Sequence, residues 1–270
     1  MKLQLIANEL RKDVIWMCHR GKSAHLGTNL SAADIVTILY KKILRVKPKS
    51  PNWPDRDRFI VSKGHGAAII YAALAHKGFF PKGWLKTYYK NNGKLAGHVT
   101  KLDVPGVEFS TGALGHGLPI ACGVALAGKR DKKKYRVFAL LSDGELDEGS
   151  NWEAILFAPQ HKLDNLTAIV DYNKIQSLDF VKKTLNLEPL KAKLKAFNWE
   201  VREIDGHNHN QILKTLKSVP FKKGKPSFII AHTIKGKGVS FMENTVKWHY
   251  ANTDEVLLAQ ALKELSSKKK

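Results

Sequence analysis

What most constrains this chain is a series of short apolar runs, spaced by stretches long enough for a helix. "RFIVS" (58–62) is the first, and "YRVFALLSD" (135–143), "LTAIVDYN" (166–173), "WEVREID" (199–205) and "PSFIIAHT" (226–233) follow. Near-continuous apolar strands are stable only when both faces are covered. The pattern therefore predicts an α/β fold: a parallel sheet with helices on both faces. In such sheets ligands bind beyond the carboxyl ends of the strands, and the residues with chemistry sit there: Asp143, Asn173 and the stretch 232–237. Helical spacing predicts helices over 3–20 and 31–43, the second capped by Ser31, and a closing helix over 254–265. "KGHGAAIIYAALAHKG" and "STGALGHGLPIACGVALAGK" share one design, a glycine-rich opening and then a helix of small apolar residues. No internal repeat or low-complexity linker interrupts this order. Residues 1–270 are expected to form a single domain, with a C-terminal helix and lysine tail from about residue 253.

A chain of 270 residues, 43% apolar, can bury a sizeable core. No apolar run reaches the roughly 18–20 residues of a membrane span. The opening "MKLQLIANELRKDVIWM" has helical spacing and early acidic residues, unlike a secretory signal. Cys18 and Cys122 lie far apart in apolar patterns, which fits core positions in a reducing cytosol. The net charge of +21 invites polyanions. The lysine runs at 132–134 and in the terminal "SSKKK" lack the interleaved aromatics of a single-strand reader, so solvated surface is expected and no specific nucleic acid. A basic nucleic-acid-binding protein is the reading from another class, and it needs neither metal nor cofactor.

Asp143, Glu145, Asp147 and Glu148 crowd one turn of this basic chain. Asp143-Gly144 closes one strand and Asn173 closes the next, with 28 residues between Gly144 and Asn173. That length suits one helix and a return strand, so two adjacent strand ends would offer a carboxylate and an amide oxygen to one point. Hard oxygen ligands suit Mg2+ or Ca2+, not zinc. Gly144 lets a phosphate approach the backbone, and the helix starting near Ser150 has free N–H groups to help.

"SDGELDEGSNWEA" followed by "DYNKIQS" resembles the thiamine diphosphate motif of the transketolase family, with Ser142 in place of the first glycine of Gly-Asp-Gly. "GKSAHLGTNLSAADIVTILY", "DRDRFIVSKGHG", "TGALGHGLPIACGVALA", "IDGHN", "AHTIKGKGVSFME" and "WH" are similar to that family's segments, in family order across residues 8–250. The resemblance implies a thiamine diphosphate-binding fold of the diphosphate-binding (PP) type. It implies thiamine diphosphate with Mg2+, or Ca2+, as cofactors. Asp143, Asn173 and the Ile175 carbonyl would hold the metal. Gly144 and Glu145 would offer backbone contacts to the diphosphate, with His65 close by. Gly112 and Leu114 would contact the aminopyrimidine, and Ile234 the thiazolium. Lys235 would sit near cofactor and substrate. His25, His65, His98 and His249 would line the substrate channel, hold hydroxyls and move protons, with His116 in support. His76, His161 and His209 are read as surface residues. Glu148 and Glu153 would face a dimer interface, or else only stabilise a helix N-terminus.

The family's second domain, which holds the glutamate that activates the cofactor and most residues that grip substrate phosphate, has no counterpart here. The resemblance therefore implies one half of a split enzyme, inactive alone. It would work with a separate C-terminal transketolase subunit, as a cytoplasmic α2β2 heterotetramer, moving a two-carbon ketol unit between ketose and aldose phosphates as in the pentose phosphate pathway. Two related readings stay open: the α chain of a 2-oxoacid dehydrogenase, and a deoxyxylulose phosphate synthase-like enzyme. A nucleotidase is disfavoured, because no GxxxxGK[ST] loop is present.

Overall fold

The computed structural model describes residues 2–267, so the final lysines of the expected tail lie outside the described residues. The apolar runs form five strands: β1 (Arg58–Val61), β2 (Val137–Ser142), β3 (Leu166–Tyr172), β4 (Glu200–Asp205) and β5 (Ser227–His232). All pair in parallel, in the order β1-β2-β3-β5-β4. Every residue of β2 and β3 is buried, as central strands covered on both faces must be. β4 is an edge strand, with Val201 and Ile204 buried and Arg202, Glu203 and Asp205 exposed.

Among the described residues the α-helices around this sheet are, in chain order, α1 (Leu3–Gly21), α2 (Leu26–Ser31), α3 (Ala33–Ile38), α4 (Ala67–Lys77), α5 (Gly117–Arg130), α6 (Gly149–Gln160), α7 (Val181–Thr184), α8 (Leu190–Ala196), α9 (His209–Lys217) and α10 (Glu255–Ser267). They divide the core in two. On one face α1, α3, α4, α9 and α10 share one apolar core with Phe138 and Leu140 of β2 and Ile229 of β5. On the other, α5, α6 and α8 pack on Val137, Ala139 and Leu141 of β2 and Phe228 of β5. The split follows the period of two of a strand, which sends successive side chains to opposite faces. Among the described residues no helix is long and apolar enough to cross a membrane.

One expected helix is broken. In place of a continuous helix over 31–43, α2 ends at Ser31, α3 starts at Ala33, and Leu39–Ile43 winds as a π-helical turn. Ser31 caps nothing: its hydroxyl donates to Asp171 of β3 at 2.6 Å, which ties the break to the sheet.

Candidate active site

The carboxyl ends of β2, β3 and β5 open on a cleft of about 250 Å³. His25, His65, His98, Gly112, Leu114, Asp143, Gly144, Asn173, Ile175, Lys235 and His249 all line it. A groove of about 910 Å³ near Leu156, Phe157 and Phe197 is larger, but its lining is mostly apolar. Chemistry, not volume, singles out the cleft.

Register explains the meeting of its acidic and amide groups. Ser142 pairs with Asp171, so the residues just past β2 and β3, Asp143 and Asn173, emerge side by side. Asp143 is buried, and its carboxylate accepts from the Gly144 N–H at 2.9 Å and the Lys174 N–H at 2.6 Å. Burial, with the Asp171 carboxylate nearby, raises its pKa to about 7. The Asn173 side-chain oxygen accepts from the Ile175 N–H at 3.1 Å and curls the chain there. A carboxylate and an amide oxygen side by side suit a hard cation, while the Ile175 carbonyl of the same cleft accepts from the Lys235 ammonium at 2.9 Å. Among the described residues no three His, Cys, Asp or Glu side chains gather to hold a metal. A cation here would therefore need further oxygens, such as those of a diphosphate. Gly144 fits that need: it lines the cleft, and the nearest atoms a Cβ there would meet are those of Gln176, at an ordinary 3.4 Å, so its backbone is open to an approaching ligand.

Lys235 is almost fully buried, and its ammonium donates to the Ile175 carbonyl at 2.9 Å, the Gln176 carbonyl at 3.0 Å and His249 Nδ1 at 2.9 Å. Burial lowers its pKa to about 8, so the ammonium form prevails at pH 7. An ammonium only donates, so Nδ1 of His249 accepts and Nε2 carries that ring's proton. The ring of His25 stands 5.4 Å from that of His65, 5.7 Å from that of His98 and 5.2 Å from that of His249. Burial, reinforced by His98 and Lys235, lowers the His25 pKa to about 4. Burial and then Lys235 lower that of His249 to about 3. Burial, with Lys63 and the neighbouring rings, holds His65 well below its ordinary value. At pH 7 these three are neutral imidazoles, each with one donor and one acceptor nitrogen.

The family model described as "Transketolase, thiamine diphosphate binding domain" matches residues 3–268. The chain belongs to the transketolase family. It is 46% identical to one of the subunits of the apulose-4-phosphate transketolase of Actinobacillus succinogenes, over 92% of this chain and 91% of the relative. It is 39% identical to the 6-deoxy-6-sulfo-D-fructose transketolase subunit SqwG of a Clostridium species, over 97% and 96%. Human transketolase is 38% identical over all of this chain but only 44% of its own length. The crystal structure of Campylobacter jejuni transketolase superposes with a TM-score of 0.92 at 34% identity, covering 98% of this chain and 42% of that one. The chain thus spans nearly the whole length of the subunit relatives and under half of the full-length transketolases.

Several site residues expected from the transketolase resemblance sit differently from the simplest reading. Glu145 is buried below the cleft, where its carboxylate accepts from the Ser62 hydroxyl at 2.5 Å, the Ser142 N–H at 2.9 Å and the Gly115 N–H at 3.4 Å. Its side chain is a strut between three loops. The first turn of α6 does not open on the cleft: Ser150 lines a separate groove with His116 and Glu153 and donates to the Gly115 carbonyl at 2.7 Å. The cleft meets instead the short 3-10 turn Gly144–Asp147. Ile234 stands beside Lys235, but only Lys235 lines the cleft. Glu148 and Glu153 are exposed in this chain. His209 is no surface residue: Nε2 lies 2.7 Å from the buried Asp34 carboxylate. His76 likewise pairs with Asp13 at 2.6 Å.

Other residues escaped sequence reasoning. Asn29, fully buried, donates to the His25 carbonyl at 2.7 Å and the His65 carbonyl at 3.2 Å and accepts from the Ile69 N–H at 2.9 Å. It fixes two channel histidines with one amide. Below the floor, Lys63 pairs with Asp171 at 2.5 Å, both side chains fully buried. Burial alone would raise the Asp171 carboxyl, but Lys63, Ser31 and Thr233 outweigh it and hold the group below its ordinary range. Nothing in a lysine's sequence context separates a buried ion pair from a solvated side chain. Thr28, Gln176, Ser177 and Tyr250 also line the cleft.

Proposed function

We propose that this chain is the thiamine diphosphate-binding subunit of a split transketolase, active only with a separate C-terminal subunit. The observation that carries this reading is the meeting of Asp143, Asn173, the Ile175 carbonyl and four histidines in one cleft, within a chain of this family. Asp143, Asn173 and the Ile175 carbonyl would hold Mg2+, or Ca2+, on the diphosphate. The Gly144 and Glu145 backbone, His65 and Lys235 would face the diphosphate, Gly112 and Leu114 the aminopyrimidine, and Ile234 the thiazolium. The bound cofactor supplies the carbon-centred chemistry that breaks and forms the ketol carbon–carbon bond. The chain's own residues bind, orient and move protons.

His249 carries its proton on Nε2 and so serves as a donor to a substrate oxygen. Lys235 fixes that tautomer from the far side of the ring. Neutral His25 can both accept from and donate to sugar hydroxyls, a pairing that an imidazolium cannot offer. His98 completes the ring of hydroxyl partners. Two relatives are named for a phosphorylated and a sulfonated sugar, so the substrate class is an anionic sugar. Subunits would assemble as α2β2, with Glu148 and Glu153 at the contact between copies.

Calorimetric titration of thiamine diphosphate and Mg2+ tests the reading, with and without a C-terminal transketolase subunit. Asp143→Ala is the control. Tight binding is expected only with both subunits, and at least roughly tenfold weaker binding in the variant, since even outer-shell partners of a metal contribute about that much. Equal binding by the variant would remove the metal role of Asp143.

A further inference from the structure

The loop between β4 and α9 carries a histidine cluster outside the cleft. His207 Nδ1 lies 2.8 Å from Asp34 Oδ2, and the Ile234 N–H donates to His207 Nε2 at 2.8 Å. Asp34 is buried and held by Arg11, at 2.6 Å to Oδ2 and 3.2 Å to Oδ1, and by His209 Nε2 at 2.7 Å. These contacts fix the protonation state of His207. A backbone N–H can only donate, so Nε2 must accept. A carboxylate paired with a guanidinium only accepts, so Nδ1 must carry the proton. Both hold together only in the neutral Nδ1–H tautomer; an imidazolium or the other tautomer would set an N–H against the Ile234 N–H. The charged and titratable groups at the cluster are Asp34, Arg11, His209 and Asp205, whose carboxylate accepts from the His207 backbone N–H at 2.8 Å; Arg11 balances the charge of Asp34.

Ile234 directly precedes Lys235, whose ammonium spans Ile175, Gln176 and His249. The loop is held tightly at this point: a Cβ on Gly206 would lie 2.4 Å from the Thr233 side chain. We propose that His207, as the neutral Nδ1–H tautomer, is a positioning residue that anchors the Ile234 amide to the Asp34–Arg11 pair and so sets Lys235 in the cleft. The inference rests on the reading of the cleft as a cofactor site.

Nitrogen-15 NMR of the full chain at pH 7 reports the His207 tautomer directly. Amide exchange at Ile234 and Lys235 is then compared in wild type, His207→Gln and His207→Leu. Thiamine diphosphate with Mg2+ is titrated into each chain together with the C-terminal subunit. The expected result is an Nδ1–H ring, faster exchange at Ile234 in His207→Leu, and about fivefold weaker cofactor binding, the size of one lost hydrogen bond. His207→Gln, which can donate and accept, should recover part of both. An Nε2–H or charged ring, or unchanged exchange in His207→Leu, overturns the proposal. If His207→Leu does not fold, the wild-type tautomer and the Gln variant decide. If wild type binds no cofactor, the cofactor-site reading fails, while the tautomer and exchange arms still judge the anchor.

Discussion

At the scale of single residues, burial disfavours added charge on the groups that line the cleft. His249 keeps its proton off until about pH 3, because burial and the Lys235 ammonium oppose a second cation. In the unfolded chain it would titrate near pH 6.5. Between those values the unfolded chain binds the extra proton and the folded chain does not, so this residue's contribution is lost as pH falls below about 6.5. His249→Gln should therefore gain stability relative to wild type as pH drops from 7 to 4, by up to roughly 1 kcal/mol per pH unit. Urea unfolding of both cofactor-free chains at the two pH values checks this. Parallel pH dependences would mean that His249 is not held neutral by its surroundings. Asp143 runs the other way: its raised pKa makes the bare carboxylate costly near neutral pH, which a bound cation would offset.

At the scale of elements, the cleft depends on loops that cross at backbone distance. Gly64, in the turn that presents His65, shows this best. A Cβ there would lie 2.4 Å from the Thr111 carbonyl oxygen and 2.6 Å from the Gly112 nitrogen, and neither is a flexible side chain that could yield. The same crossing is stitched by Val99 donating to the Gly64 carbonyl at 3.0 Å and Thr111 donating to the Val99 carbonyl at 2.9 Å. Gly64→Ala must push these segments apart. It is expected to cost about 2–3 kcal/mol in unfolding free energy, in the range of local overpacking, and to weaken cofactor binding because His65 and Gly112 both move. Unfolding curves and the same calorimetric titration provide the check; a silent variant would show that the crossing is looser than these distances. By contrast, His25 sits at a φ of 73°, unusual for a residue with a side chain, and is held there by its N–H donating to the His249 carbonyl at 2.8 Å.

At the scale of the whole molecule, the cleft has floor and walls from this chain, while the full-length relatives are more than twice as long. The chain alone is expected to show no ketol transfer, and mixing with a C-terminal subunit to restore it. With a net charge of +21, association with an acidic partner should weaken as salt rises from about 50 to about 500 mM, because screening shortens the reach of surface charge. Sedimentation of the mixture and a coupled ketol-transfer assay measure the two effects. Full activity from this chain alone would sink the half-site reading.

The sequence by itself determined the sheet and its chemistry-bearing ends. Alternating apolar runs and helical spacing are local properties, readable residue by residue, and all five strands appear where those runs lie. The order of the transketolase-like motifs supplied Asp143, Asn173, Lys235 and the four histidines, and the fold brings all of them to one cleft. Only the tertiary structure decided the break at Ser31, the strut role of Glu145, the amide of Asn29, the buried Lys63–Asp171 pair and the Asp34–His207 anchor. Each joins residues distant in the chain, and each is polar. Its energy comes from burial and from a partner that the sequence does not name, so the same side chain reads as solvated surface until the fold removes it from water.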